Sequence, residues 1–202
     1  MEEKKEQPEW LKRARQNDKN AWESLVRENE RMVYHIAYRM MQNEEDAKDI
    51  SQEIFIKVYR SLSKFDESAV FSTWLYRIAV NTCIDALRKR KGNQTISLQE
   101  QTQKKQQDTP EQNYLQKEEQ IQIMQTIESL SPEHKAMILM RDMEDMTYGE
   151  IAECLSLSLG TVKSRIARAR EQFKKEFLAK KELLTNNSRQ NKQASGKGGG
   201  KI

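Results

Sequence analysis

The strongest constraint in this sequence is the near absence of residues that stop a helix. Seven glycines and three prolines serve 202 residues, and four of the glycines (Gly196, Gly198, Gly199 and Gly200) fall in the last seven positions. What remains is long, charged and rich in helix formers. Apolar residues recur at three- and four-residue spacing, as in Trp22, Leu25, Val26, Val33, Ile36, Ala37, Met40 and Met41. These features predict an all-α protein. Hydrophobic residues make up 36% and charged residues 33%. That is lean for one large core and sufficient for two small helical ones.

Several classes are excluded early. No stretch approaches the roughly 18 continuous apolar residues of a membrane span. The start, MEEKKEQPEW, has no apolar run of the kind a signal peptide needs. Cys83 and Cys154 lie far apart and have no ligand-like spacing, so neither a metal site nor a disulfide framework is expected. His35 and His134 are isolated, and no catalytic constellation or cofactor motif is present. The chain reads as a cytosolic protein that is not an enzyme. Its net charge of +4 is too small to identify a nucleic-acid partner, so the placement of the charge has to decide.

Composition divides the chain. A short N-terminal extension, 1–17, precedes a first helical block at 18–91. In 92–115, seven of 24 residues are glutamine and few are large and apolar, which predicts a flexible linker. Helical periodicity returns across 116–181, and 182–202 reads as a disordered polar tail.

The second block carries two start signals. Ser131-Pro132 is a capping serine with proline at the first helical position. Thr147 and Glu150 have the spacing of a capping box. Ile151, Ala152 and Leu155 follow as a short amphipathic helix, Ser156-Leu157-Ser158 breaks it, and a longer helix begins at Leu159 or Gly160. Short helix, tight turn and longer helix is the plan of a helix-turn-helix. Along the longer helix Val162, Ile166, Ala169, Phe173 and Phe177 form the inner stripe. Ser164, Ala167 and Arg168 lie opposite, flanked by Lys163 and Arg170, and 159–181 holds eight basic residues against two acidic ones. Small residues permit close approach to a major groove, and the cations reach guanine edges or phosphates. A solvated helix face would show the same charges; the attached capped helix and turn favour DNA.

In the first block Ala47, Ile50, Ile54, Val58 and Leu62 mark an inner face, opposite Asp49, Gln52, Glu53, Ile56 and Arg60. An outward isoleucine among carboxylates and an amide suits protein docking. An ordinary helix with acidic residues near its positive end gives the same pattern. A loop containing Phe65 leads to a long helix that Ser72 or Thr73 can cap. Trp74, Arg77, Asn81 and Arg88 share its outer side with Asp85, and it ends in Arg88-Lys89-Arg90-Lys91. An aromatic platform beside amide and cationic groups suits unpaired bases. Trp74 could equally cover the core.

Three ordered segments, DISQEIFIKVYRSLSKF, FSTWLYRIAVNTCIDALRKRK and LSPEHKAMILMRDMEDMTYGEIAECLSLSLGTVKSRIARAREQFKK, resemble the extracytoplasmic-function class of sigma factors, over about residues 18–180. The resemblance implies two small helical domains on a flexible linker: a region 2-like bundle that docks on core RNA polymerase and opens the −10 element, and a region 4-like helix-turn-helix that reads the −35 element. It places Asp49, Gln52 and Glu53, with Ile56 beside them, on the coiled coil of the polymerase largest subunit, and the second domain on the polymerase flap. It gives Phe65 and Asn81 the task of holding a flipped −10 base, beside Trp74, Arg77 and Arg88. Lys163, Ser164, Ala167 and Arg168 match the −35 face. Other members can carry a bulkier residue at the position of Ala167. It further implies an anti-sigma factor, commonly membrane-bound, released by a stress or envelope signal.

Two rivals make different demands. A stand-alone helix-turn-helix regulator would bind duplex DNA tightly without polymerase and without Asp49, Gln52 or Glu53. A purely protein-binding helical module would tolerate loss of Lys163 or Arg168. RNA binding is weaker still, for want of an RNA-recognition fold.

Overall fold

A computed structural model of the protein describes residues 9–66, 68–94 and 114–195. Among them there are helices, turns and no strand. The first group is α1 (Glu9–Arg15), α2 (Lys19–Met41), α3 (Glu44–Ser61), a 3-10 turn (Leu62–Lys64) and α4 (Phe71–Gln94). The second is α5 (Tyr114–Ser129), α6 (Pro132–Ile138) running into a π turn (Leu139–Met143), α7 (Tyr148–Leu155) and α8 (Leu159–Ser195).

Side-chain caps set most of the starts. Asp18 opens α2 by accepting the Ala21 N–H at 3.1 Å. That backbone bond, then Arg13, holds the Asp18 carboxyl below its usual range. Asn43 caps α3 through the Asp46 N–H at 3.0 Å, and Gln42 turns the chain between α2 and α3 at φ 55. Ser131 caps α6 through the His134 N–H.

Packing follows the inner faces. α2, α3 and α4 pack on one another, burying Leu25, Val33, Ala37, Ile54, Val58, Leu75 and Cys83 completely. The second core is built from Leu130, Met137, Met140, Ile151, Val162 and Ile166. Each such aliphatic side chain contributes about 1.5–3 kcal/mol relative to exposure. The two cores meet where α4 packs on α6 and α7.

Three features depart from the sequence reading. The 1–17 segment contains α1, which lays buried Leu11 and Ala14 on α2. α4 starts at Phe71, with the Trp74 N–H bonded to the Val70 carbonyl, so neither Ser72 nor Thr73 is its cap. Phe71 and Trp10 pack edge to face at 5.7 Å, so an aromatic contact fixes this start where no side-chain oxygen does. The α8 backbone stays helical to Ser195, past the start of the tail read as disordered at 182. No glycine or proline lies between 182 and 195, so the helix extends by one hydrogen bond per residue. Of the linker read at 92–115, residues 95–113 lie outside the described residues, as do 196–202 of the tail.

Candidate nucleic-acid interface

The helix-turn-helix is built as its caps require. Thr147 and Glu150 form both arms of a capping box, at 3.2 Å from the Glu150 N–H to Thr147 Oγ1 and 2.7 Å from the Thr147 N–H to Glu150 Oε2. Those bonds hold the Glu150 carboxyl below its usual range. Ser156 ends α7 in the left-handed region at φ 53. Ser158 then caps α8 by accepting the Thr161 N–H at 3.2 Å.

Val162, Ile166 and Ala169 of α8 are buried. Lys163, Ser164, Ala167 and Arg168 are exposed together on the opposite side. Ser164 turns its hydroxyl back to the Thr161 carbonyl at 2.9 Å. Among the described residues neither Lys163 nor Arg168 makes an ion pair, leaving both cations facing solvent. Arg170 differs. It clasps Asp142 of the π turn through its Nε and Nη2, which raises its pKa. Its role is to brace α8, not to reach outward.

On α4, Trp74, Arg77, Asn81 and Arg88 lie along one side, Trp74 and Arg77 half-buried and the other two exposed. Phe65 is not on the surface. At 2% exposure it packs under Trp74 at 5.0 Å and edge-on to Phe71 at 5.7 Å. Trp74 therefore lies outside Phe65 on this side of the bundle. Arg77 donates to Ser156 Oγ at 3.1 Å, and Arg88 Nε donates to Glu133 at 2.6 Å. Burial acts to raise the Glu133 carboxyl pKa. Its own backbone N–H and Arg88 outweigh that and hold it below the usual range. Asn81, Ile84, Asp85 and Arg88 form one wall of a cleft of about 320 Å³; Glu133, Met137, Leu155, Leu157 and Arg165 form the other.

Asp49, Gln52 and Ile56 stand exposed on α3, and Glu53 lies beside them, paired with Lys57 at 3.0 Å. Ile56 is half exposed and gives this charged face an apolar contact. Sequence reasoning did not find Ser156, Glu133, Arg165 or buried Lys135, because contacts between distant helices leave no mark on local periodicity. Among the described residues no group of three or more metal-ligating side chains occurs. Burial pushes the Cys83 and Cys154 thiols up to about 12, so both stay neutral. No described helix is long and apolar enough to cross a membrane.

Comparison with known proteins agrees with this arrangement. The family described as Sigma-70 region 2 matches residues 25–92, and Sigma-70, region 4 matches 120–173. The chain is 36% identical to the ECF RNA polymerase sigma factor SigE of Mycolicibacterium smegmatis over 79% of its own length and 62% of that protein's. It is 33% identical to SigW of Bacillus subtilis, covering 83% of this chain and 94% of that one. It is 36% identical to the sigma-E factor of Haemophilus influenzae, at 83% and 93% coverage. Among solved structures it resembles CnrH in complex with the cytosolic domain of CnrY, at TM-score 0.58 and 22% identity over 84% of this chain and 96% of that one. It also resembles the sigma factor RpoE of Bartonella quintana in complex with the anti-sigma factor NepR, at TM-score 0.54 and 18% identity over 76% and 94%. The fold, the two matched regions and the full-length relatives agree: this chain belongs to the extracytoplasmic-function RNA polymerase sigma factors of the sigma-70 family.

Proposed function

We propose that this sigma factor docks on core RNA polymerase through α3 and reads a promoter at two places, −35 with α8 and −10 with α4. The observation that carries this reading is the outer face of α8. Lys163 and Arg168 flank Ser164 and Ala167 on a helix whose other side is locked into a helix-turn-helix, and no internal carboxylate takes up those cations. A helix so presented fits a major groove, with small side chains allowing approach and long cations reaching bases and phosphates.

Asp49, Gln52, Glu53 and Ile56 offer the polymerase coiled coil two carboxylates, an amide and an apolar contact within three turns of α3. The division of labour assigns 18–91 to docking and −10 opening and 116–181 to the −35 element and the flap. In the first, Trp74 supplies a stacking surface, Asn81 an amide for a base edge, and Arg77 and Arg88 charge for the strand; Phe65 supports Trp74 from below. Unstacking a base costs a few kcal/mol, which such contacts offset. Catalysis belongs to the polymerase, and no resident cofactor is required. The work is cytoplasmic, in a stress or envelope response. An anti-sigma factor completes the system, supported by the solved relatives captured with CnrY and with NepR.

Run-off transcription with core polymerase on a library of promoter-like templates tests the reading. Wild-type protein should yield transcripts sharing upstream elements, and Asp49→Arg or Arg168→Ala should weaken them. If no transcript appears while the protein alone binds duplex DNA tightly, the chain is a stand-alone regulator instead.

A further inference from the structure

Aromatic contact runs unbroken from α1 to the −10 side of α4. The Trp10 ring stands edge-on to Phe71 at 5.7 Å. Phe71 in turn stands edge-on to Phe65 at 5.7 Å and tilted on Trp74 at 5.8 Å. Edge-on and tilted pairs at these separations fix how each ring is turned. The start of α4 needs such a fixture. Val70 precedes the helix and has no side-chain oxygen to cap it, and Trp74 lies in its first turn. α1 is itself held from behind. Leu11 and Ala14 are buried against α2, Arg13 donates to the α2 cap Asp18 at 2.9 Å, and Arg15 donates to the Ser63 carbonyl at 3.5 Å.

We propose that Trp10 is a positioning residue for −10 opening: anchored on α1, it holds Phe71, and through Phe71 the rings of Trp74 and Phe65, in the arrangement that receives an unstacked base. The inference rests on α4 being the −10 reader. Trp10 acts through Phe71 and needs no contact with DNA. Without its ring edge, Phe71 gains rotamer freedom, the first turn of α4 frays, and Trp74 loses its orientation. The loss falls on base capture alone. Docking and −35 binding use α3 and α8, which the four rings do not include.

The test uses the full chain and its holoenzyme, on a promoter found by run-off transcription with a fluorescent base analogue in the −10 element. Trp10→Leu fills the site without a ring. It should slow opening by about threefold to tenfold, the scale of one lost ring pair, with core affinity and −35 duplex affinity unchanged. Amide exchange should quicken at Ala69 and Trp74, whose N–H groups close the loop and the first turn of α4. Trp10→Phe, which keeps a ring edge, should restore both readouts. Because the two residues act as one contact, the Trp10→Leu and Phe71→Leu defects should not add. Normal opening in Trp10→Leu, slow opening without faster exchange, or full additivity with Phe71→Leu would each overturn the proposal. An Asn81→Ala holoenzyme separates the two failures. If it opens promoters as wild type does, α4 is not the reader and the inference falls with that reading. If it loses opening while Trp10→Leu opens normally, the positioning alone is wrong.

Discussion

Arg168 and Arg170 stand two positions apart on α8, and their surroundings give them different work. Arg168 faces solvent with no internal carboxylate, whereas Arg170 is committed to Asp142 on the π turn. Arg168→Ala should therefore weaken binding to a −35 duplex by about 1–3 kcal/mol, the scale of one good base contact, and leave the melting temperature unchanged. Arg170→Ala should do the reverse. Its pair is about half exposed, so the stability lost should stay within about 1 kcal/mol, read by thermal unfolding. Which face of α8 points outward was legible in the sequence, because a 3.6-residue period shows directly which positions cannot be buried. That Arg170 is spent inside was not legible, since its partner lies 28 residues away on a turn no local pattern marks. Phe65 shows the same limit. Family resemblance gives it a place at the base, and only the structure shows that its ring lies buried beneath Trp74 and against Phe71.

At the scale of elements, caps carried the sequence reading and packing carried the rest. The starts of α6, α7 and α8 were marked by Ser131-Pro132, by Thr147 with Glu150, and by the break before Leu159, each a side-chain oxygen or turn with a short-range reason. α1 had no such mark and the start of α4 a misleading one in Ser72 and Thr73, because Leu11, Ala14, Trp10 and Phe71 order these ends through contacts with other helices. The π turn at Leu139–Met143 is invisible in the same way, although it places Asp142 on Arg170 and is followed by Glu144 on Arg39. The capping box offers a clean measurement. Thr147→Ala removes one arm and should cost about 1 kcal/mol, seen as a lower denaturant midpoint. Gly149→Ala should act oppositely. The added methyl would meet nothing closer than Thr147 Oγ1 at 3.8 Å, ordinary contact, so helix propensity alone should raise stability by up to about 1 kcal/mol.

For the whole molecule the deciding group is Lys135. It lies in α6, 3% exposed, with α4 on one side and α5 on the other. Burial is the main reason its pKa falls to about 8 from an ordinary 10.5. Arg90 and Lys91 of α4 push the same way, while Glu128 of α5 and the Cys83 thiol oppose them. When the bundles part, the amine regains water and its ordinary affinity for a proton. The closed chain therefore binds fewer protons than the open one, and closure must strengthen as pH rises from about 8 toward 10.5 and be weakest below that window. The other groups at this contact do not compete there. Cys83 and Cys154 titrate near 12, and burial moves the Tyr76 phenol upward as well. The Glu133 carboxyl is held below its usual range and does not titrate there. From about pH 8 to 10.5, energy transfer between dyes placed on the two bundles at Ser63→Cys and Lys175→Cys, both exposed positions, should therefore rise. Lys135→Met should flatten that curve and hold the bundles together at neutral pH. A pH response that survives this substitution would place the titrating group elsewhere, and a response of opposite sign would mean that Lys135 keeps its proton in the closed chain.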